Sequence, residues 1–129
     1  MKYWAFNCTK QTLLASELEL ADTGWARMKG LLGRQSSEFQ NGRGLWIVPC
    51  EGVHTIGMSF AIDVIYLDAD YRVLRIYHSL APFRIAAVKR KTSSVIELPA
   101  GTLVRTQTQI GDLLQISSVV EDDERATGT

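Results

Sequence analysis

Two apolar runs joined by a short acidic turn place the strongest constraint on the fold of this chain. The first run is FAIDVIYLD, at residues 60–68, and the second covers residues 72–78. Asp68, Ala69 and Asp70 lie at the turn between them, where aspartate is favoured because its side chain bonds the nearby backbone. Runs of β-branched and aromatic residues on both sides of such a turn predict an antiparallel hairpin.

Shorter runs of the same type predict further strands at residues 2–8, 12–20, 44–48, 94–98 and 113–120. Apolar and charged residues alternate in the second of these runs. We therefore expect Leu18 and Leu20 to face the core, while Glu17 and Glu19 face water. Residues 9–11 would join the first two strands in a second hairpin.

Helical signals are fewer. Apolar residues recur at helical spacing from Thr23 to Leu32, after an N-cap offered by Asp22 or Thr23, and one helical turn fits residues 102–109. The expected fold is mainly β (α+β): a single compact β-barrel or β-sandwich-like domain with one short flanking helix near Thr23–Leu32. Residues 1–120 would form this domain, and residues 121–129 a flexible acidic and polar tail.

The balance of charges restricts the classes of partner. The chain has 14 Lys and Arg against 14 Asp and Glu, a net charge of zero, so no overall field favours nucleic acid. The basic run at residues 89–91 lacks interleaved aromatic residues and indicates a solvated loop. No run approaches the roughly 20 apolar residues of a membrane span, and no signal peptide is visible. We therefore predict a cytoplasmic protein in which both cysteines are thiols.

Asp63 is the most informative single residue. It interrupts an apolar strand and, by alternation, shares one face of that strand with Ile65 and Leu67. Because an unpaired carboxylate is costly to bury, Asp63 requires hydrogen-bond donors. It is either a structural carboxylate, held by backbone N–H groups or by an arginine, or a site carboxylate at the mouth of a pocket.

The loop before this strand carries the other reactive side chains. His54 is the best candidate for general acid–base chemistry near neutral pH, although a hydrogen bond that orders the loop explains it equally well. Cys50, His54 and Met58 have the spacing C-x3-H-x3-M, a soft-ligand set that suits copper(I). Methionine is usually core filler, however, and the paired thiolates of a zinc site are missing. We predict neither a metal nor a cofactor.

Glu97 repeats the pattern of one acid within an apolar strand, in the sequence VIELPAG. Arg34 lies seven residues after Arg27, which is two turns along one helical face if the helix extends that far. A pair of Arg34 with Glu97, or with Asp63, would explain why these strands keep a charged residue.

Four motifs in this order resemble the DUF192 family, a bacterial and archaeal group of uncharacterised function. They are Arg27-x2-GLLGR, LWIVPCEGVHTIGMSFAIDVIYLD, VIELPAG and IGD. The resemblance extends from about Leu18 to Ile116 and implies a compact, mostly β fold with one early helix. It implies no reaction. Residues 81–93 depart from the family pattern. The positions that match it are Arg27, Gly30, Arg34, His54, Met58, Asp63, Asp68, Glu97, Gly101, Gly111 and Asp112.

Three hypotheses for the function follow. The first is binding of a small ligand or a partner in a concave site lined by Trp46, His54, Met58 and Asp63, with Arg34 facing an anionic group. The second is a non-catalytic protein-interaction module. The third is a hydrolase that uses His54 with Asp63 or Cys50, where a nucleophilic pair requires hydrogen-bond reach and a third, orienting group.

Overall fold

The computed structural model describes residues 2–22, 37, 39–50, 60–82 and 89–119. Seven strands and one short helix occupy these ranges, and every strand predicted from the sequence is present. The elements are β1 (Lys2–Asn7), β2 (Thr12–Ala21), β3 (Arg43–Ile47), β4 (Ile62–Leu67), β5 (Val73–Leu80), β6 (Ser94–Pro99), α1 (Thr102–Thr106) and β7 (Leu114–Ser118).

All seven strands belong to one sheet, in the order β5-β4-β6-β3-β2-β1-β7. Both predicted hairpins are confirmed, since β1 pairs antiparallel with β2 and β4 with β5. The single parallel pair is β2 with β3. A parallel pair requires a long crossover connection, and residues 22–42 supply it. The predicted helix Thr23–Leu32 falls within this crossover and lies outside the described residues.

The sheet is curled into a half-barrel. One apolar cluster includes residues from all seven strands and from α1, which is possible only on the concave side of a curled sheet. We call this side the inner face. A second cluster, on the outer face, includes Ile62, Val64 and Tyr66 of β4. Because β4 is packed on both faces, all six of its residues are buried.

The two edge strands meet at one point and close the curl there. The Val73 N–H donates to the Asp112 carbonyl (2.8 Å), the Gly111 N–H donates to the Val73 carbonyl (2.8 Å), and the Leu114 N–H donates to the Tyr71 carbonyl (2.9 Å). The start of β5 is thereby joined to the start of β7. The inner face is enclosed at this point, although β5 and β7 pair elsewhere with different neighbours.

The predicted fold class is confirmed: the protein is mainly β, with one sheet that curls as a half-barrel. Local details also agree. Leu18 is fully buried and Glu17 and Glu19 are exposed. The helical turn predicted within residues 102–109 is α1, which covers one end of the inner face through the buried Leu103.

Candidate functional site

Asp63 is completely buried, and its carboxylate accepts three backbone hydrogen bonds. Oδ1 accepts from the Ser79 N–H (2.8 Å), and Oδ2 accepts from the N–H groups of Gly101 (3.1 Å) and Leu103 (2.9 Å). The donors that the sequence requires for this residue are therefore backbone N–H groups. Asp63 ties β4 to the end of β5 and to the start of α1.

Two of the segments bound by Asp63 have left-handed backbones, and the one at Ser79, a non-glycine residue, is strained. Ser79 has φ +49° and Gly101 has φ +95°, and both angles lie in the left-handed region. Non-glycine residues avoid this region unless the surrounding structure holds them there. The geometry of Asp63 is that of a structural carboxylate, since none of its surface reaches solvent.

Trp46 lies on the same inner face, nearer the opposite end of the half-barrel. It is 8% exposed, and its ring makes edge-to-face contacts with Tyr3 (5.4 Å between ring centroids) and Tyr71 (5.9 Å). Its indole Nε1–H has no hydrogen-bond partner among the described residues. A buried indole N–H normally finds a partner, so Trp46 departs from the usual pattern.

Two buried hydroxyl groups, one at the start of β6 and one just before it, also lack partners within the part of the chain that the structure describes. They are Ser94 Oγ and Thr92 Oγ1. Trp46 pairs with Ile96, so Ser94 is its diagonal neighbour on the same face of β6. Such diagonal neighbours have Cα atoms about 7–8 Å apart. We call Tyr3, Trp46, Tyr71, Thr92 and Ser94 the Trp46 cluster.

Tyr71 reaches Trp46 from a strained position. Its φ is +66°, which is a genuine outlier for a bulky side chain. The turn is held by Asp68, whose Oδ1 accepts the N–H groups of Asp70 and Arg72 at 2.9 Å each and whose carbonyl accepts the Tyr71 N–H. Backbone strain of this kind concentrates at functional sites, where the surrounding structure maintains it.

Glu97 does not share a face with Trp46 and Asp63. Its cross-strand neighbours are Leu45 and Val64, and both belong to the outer apolar cluster. Glu97 is 2% exposed. Trp46 and Asp63 lie on the inner face, whereas Glu97 lies on the outer face.

Cys50 and Asp63 lie at opposite ends of β6. The Cys50 N–H donates to the Ser93 carbonyl, whereas Asp63 pairs with Leu98. Ser93 and Leu98 are five positions apart in the chain, which is about 17 Å along an extended strand. Asp63 is therefore too far away to orient a nucleophilic pair that includes Cys50.

The remaining candidates, Arg34, His54 and Met58, lie outside the described residues, as does Arg27. The predicted pairs of Arg34 with an acid therefore stay predictions, and most of the C-x3-H-x3-M pattern lies outside these residues. Within the described ranges no group of three or more His, Cys, Asp or Glu side chains is placed to hold a metal ion. No helix in those ranges is long and apolar enough to cross a membrane.

A buried polar network lies at the end of the half-barrel that α1 covers. Asn7, which is fully buried, donates from Nδ2 to Thr108 Oγ1 (3.1 Å) and Asp112 Oδ2 (2.9 Å). Lys10 Nζ donates to both Asp112 oxygens (2.9 and 3.0 Å), and the Gln109 N–H donates to Asp112 Oδ2 (3.0 Å). Of these residues, the sequence singles out only Asp112, through the IGD motif.

The network controls the ionisation of Asp112. Burial alone would raise the pKa of this carboxyl group. The hydrogen bonds from Asn7, Gln109 and Lys10, together with the positive charge of Lys10, outweigh burial and hold the pKa below its usual value. Asp112 is therefore an ionised structural carboxylate that joins the β1–β2 turn to the segment before β7.

Related proteins share this sequence pattern and this fold. The family model DUF192, described as Uncharacterized ACR, matches residues 5–116. A UPF0127 protein of Thermococcus sibiricus is 28% identical over 93% of this chain and 77% of its own length. One from Pyrococcus furiosus is 28% identical over 88% of this chain and 98% of its own length.

A solved structure of a protein of unknown function from Novosphingobium aromaticivorans has the same fold, with a TM-score of 0.75. It is 21% identical and covers 89% of this chain and 84% of its own chain. The match of the family model covers most of the chain and includes β4, β6 and the IGD motif. The chain belongs to the DUF192 family.

Proposed function

We propose that this protein binds a small molecule at the Trp46 cluster. The observation that carries the proposal is the buried indole N–H of Trp46, which has no partner among the described residues. An unpaired buried donor costs about 1–3 kcal/mol, and a ligand acceptor would remove that cost. The unpaired hydroxyl group of Ser94, a diagonal neighbour of Trp46 on β6, supports the same location.

The cluster suggests the chemistry of the ligand. Tyr3 and Tyr71 present ring surfaces on two sides of the indole, which favours a planar or apolar body. The indole N–H can only donate, so the ligand would place an acceptor atom there. The two hydroxyl groups can donate or accept, and they would fix its orientation.

This proposal moves the candidate site from Asp63 to Trp46. Both Asp63 oxygens accept backbone N–H groups, and the residue has no exposed surface. A ligand that used this carboxylate would first have to break the contacts that hold Ser79 and α1. A ligand that accepts a hydrogen bond from Trp46 Nε1 would break no hydrogen bond among the described residues.

The test is a screen of a metabolite mixture by native mass spectrometry with the wild-type protein and Trp46→Phe. Phenylalanine keeps a ring between the two tyrosines and removes the donor. We expect the wild type to retain a metabolite and the variant to bind it about tenfold more weakly, as one lost hydrogen bond predicts. The protein should stay folded, because phenylalanine keeps a ring in the core and the lost donor has no partner among the described residues.

Trp4→Phe is the matched control. Trp4 is half-buried on β1 and lies outside the cluster, so binding should be unchanged. The proposal fails if the wild type retains no metabolite. It also fails if Trp46→Phe binds as tightly as the wild type, or if Trp46→Phe unfolds the protein.

A further inference from the structure

A groove lies beside the edge strand β5, away from the Trp46 cluster. Its volume is about 490 Å³. Ile76 and His78 of β5 form one wall, and Leu103, Val104 and Gln107 of α1 and the following turn form the other. Lys10 lies at its rim. The groove is independent of the proposed ligand site, so either can be wrong without the other.

Along this groove, β5 and the segment before β7 separate. Arg72, just before β5, forms a bridge with Leu113. The N–H and the carbonyl of Val73 bond to the Asp112 carbonyl and the Gly111 N–H. Among the described residues, their backbone pairing stops at Val73, although β5 continues to Leu80. The groove therefore begins where the pairing ends, and β5 forms its border.

The groove has apolar side chains in its lining and basic side chains at its rim. Ile76 and Leu103 belong to the inner apolar cluster, and Val104 is 70% exposed. Lys10 and His78 line the groove, Arg105 is an exposed neighbour on α1, and none of the described lining residues is acidic. Lys10 is already paired with Asp112, so Arg105, which lies beside the groove, supplies the uncompensated positive charge.

We propose that this groove binds an extended, acidic peptide segment of another protein, which adds to the sheet as a strand beside β5. Peptides that bind sheet edges gain affinity from backbone hydrogen bonds and specificity from alternate side chains. Here alternate apolar side chains would contact Ile76, Leu103 and Val104. The acidic side chains between them would face the basic rim, which suits the charge of the lining.

The test uses two synthetic six-residue peptides, acetylated and amidated, that alternate Glu with Val or Lys with Val. Binding is followed by NMR of the backbone amides in β5 and α1. We expect the Glu–Val peptide to shift the amide signals of Ile76 and His78 and to bind about tenfold more tightly than the Lys–Val peptide. A Glu–Val peptide that is N-methylated on alternate residues should lose binding, because it cannot pair with β5.

Val104→Asp places a carboxylate in the groove and should weaken binding of the Glu–Val peptide by at least about tenfold. The matched control is Ile110→Asp, which changes an equally exposed apolar residue (64%) that does not line the groove. The proposal is overturned if neither peptide shifts β5 at millimolar concentration. Equal binding of both peptides, or an equal effect of both variants, also overturns it.

Discussion

At the scale of single residues, two buried carboxylates determine how this chain is tied together. The Asp63 carboxylate accepts hydrogen bonds from three backbone N–H groups. The Asp112 carboxylate accepts hydrogen bonds from Asn7 Nδ2, Lys10 Nζ and the Gln109 N–H. A buried carboxylate is tolerated only when such donors surround it. Each of these acids therefore adds side-chain hydrogen bonds between neighbouring segments of the sheet.

We predict that Asp63→Asn destabilises the protein by about 1.5–3 kcal/mol, the typical size of hydrogen bonds to a charged group. The amide loses the negative charge, and its NH2 group would face an N–H donor. Urea denaturation of the variant measures this change. Hydrogen exchange should also accelerate at the Ser79, Gly101 and Leu103 amides. An unchanged free energy of unfolding would show that Asp63 is not the anchor of these segments.

The lowered pKa of Asp112 makes the stability of the folded protein depend on pH in the acid range. Its ordinary pKa is 3.8, and its pKa in the folded protein lies lower. Its contribution to stability is therefore complete above pH 3.8 and is lost as the pH falls through the folded-state value.

We expect Asp112→Asn to lower the free energy of unfolding at neutral pH by about 1–3 kcal/mol. The difference from the wild type should shrink as the pH falls below 3.8. Melting temperatures of both proteins from neutral to acid pH measure it. A difference that stays constant down to acid pH would contradict the assigned ionisation of Asp112.

At the scale of elements, the strands follow from local patterns, whereas their assembly does not. Both hairpins follow from turn residues between apolar runs. The alternation in β2 correctly predicts that Leu18 is buried and that Glu17 and Glu19 face water. The parallel pairing of β2 with β3 and the location of Glu97 on the outer face depend on strand order. Strand order is set by contacts between distant segments, which local periodicity does not encode.

The candidate site was predictable only in part, for the same reason. Asp63 stands out as a charged residue in an apolar strand, and Trp46 is among the residues that the sequence assigns to a concave site. Tyr3, Tyr71 and Ser94 are ordinary residues in their local sequence, and only the curl of the sheet brings them towards Trp46. Asn7 and Lys10 likewise acquire their roles from Asp112, about a hundred residues later in the chain.

The packing between strands predicts a strict size limit at Gly44. A Cβ atom at this position would lie 2.9 Å from both Leu18 Cδ1 and Leu98 Cδ2. Leu18 and Leu98 are fully buried, so neither can move aside easily. We expect Gly44→Ala to destabilise the protein by about 1–3 kcal/mol, as overpacking does. Thermal denaturation measures this effect, and a melting temperature equal to that of the wild type would contradict it.

At the scale of the whole molecule, the inner face of the half-barrel has two different ends. One end is closed by α1 and contains Asp63, whose polar atoms are paired. The other contains the Trp46 cluster, where three buried polar atoms lack partners among the described residues. This asymmetry separates the stabilising carboxylate from the proposed ligand site, and it is the central claim about this protein.

A crystal structure soaked with a metabolite mixture tests that claim most directly. If the Trp46 cluster binds a small molecule, electron density is expected for a molecule with an acceptor atom within hydrogen-bond distance of Trp46 Nε1, roughly 2.7–3.2 Å. The Asp63 carboxylate should keep its three backbone partners. A molecule bound to Asp63, or water alone beside Trp46, would contradict the assignment of the ligand site to Trp46.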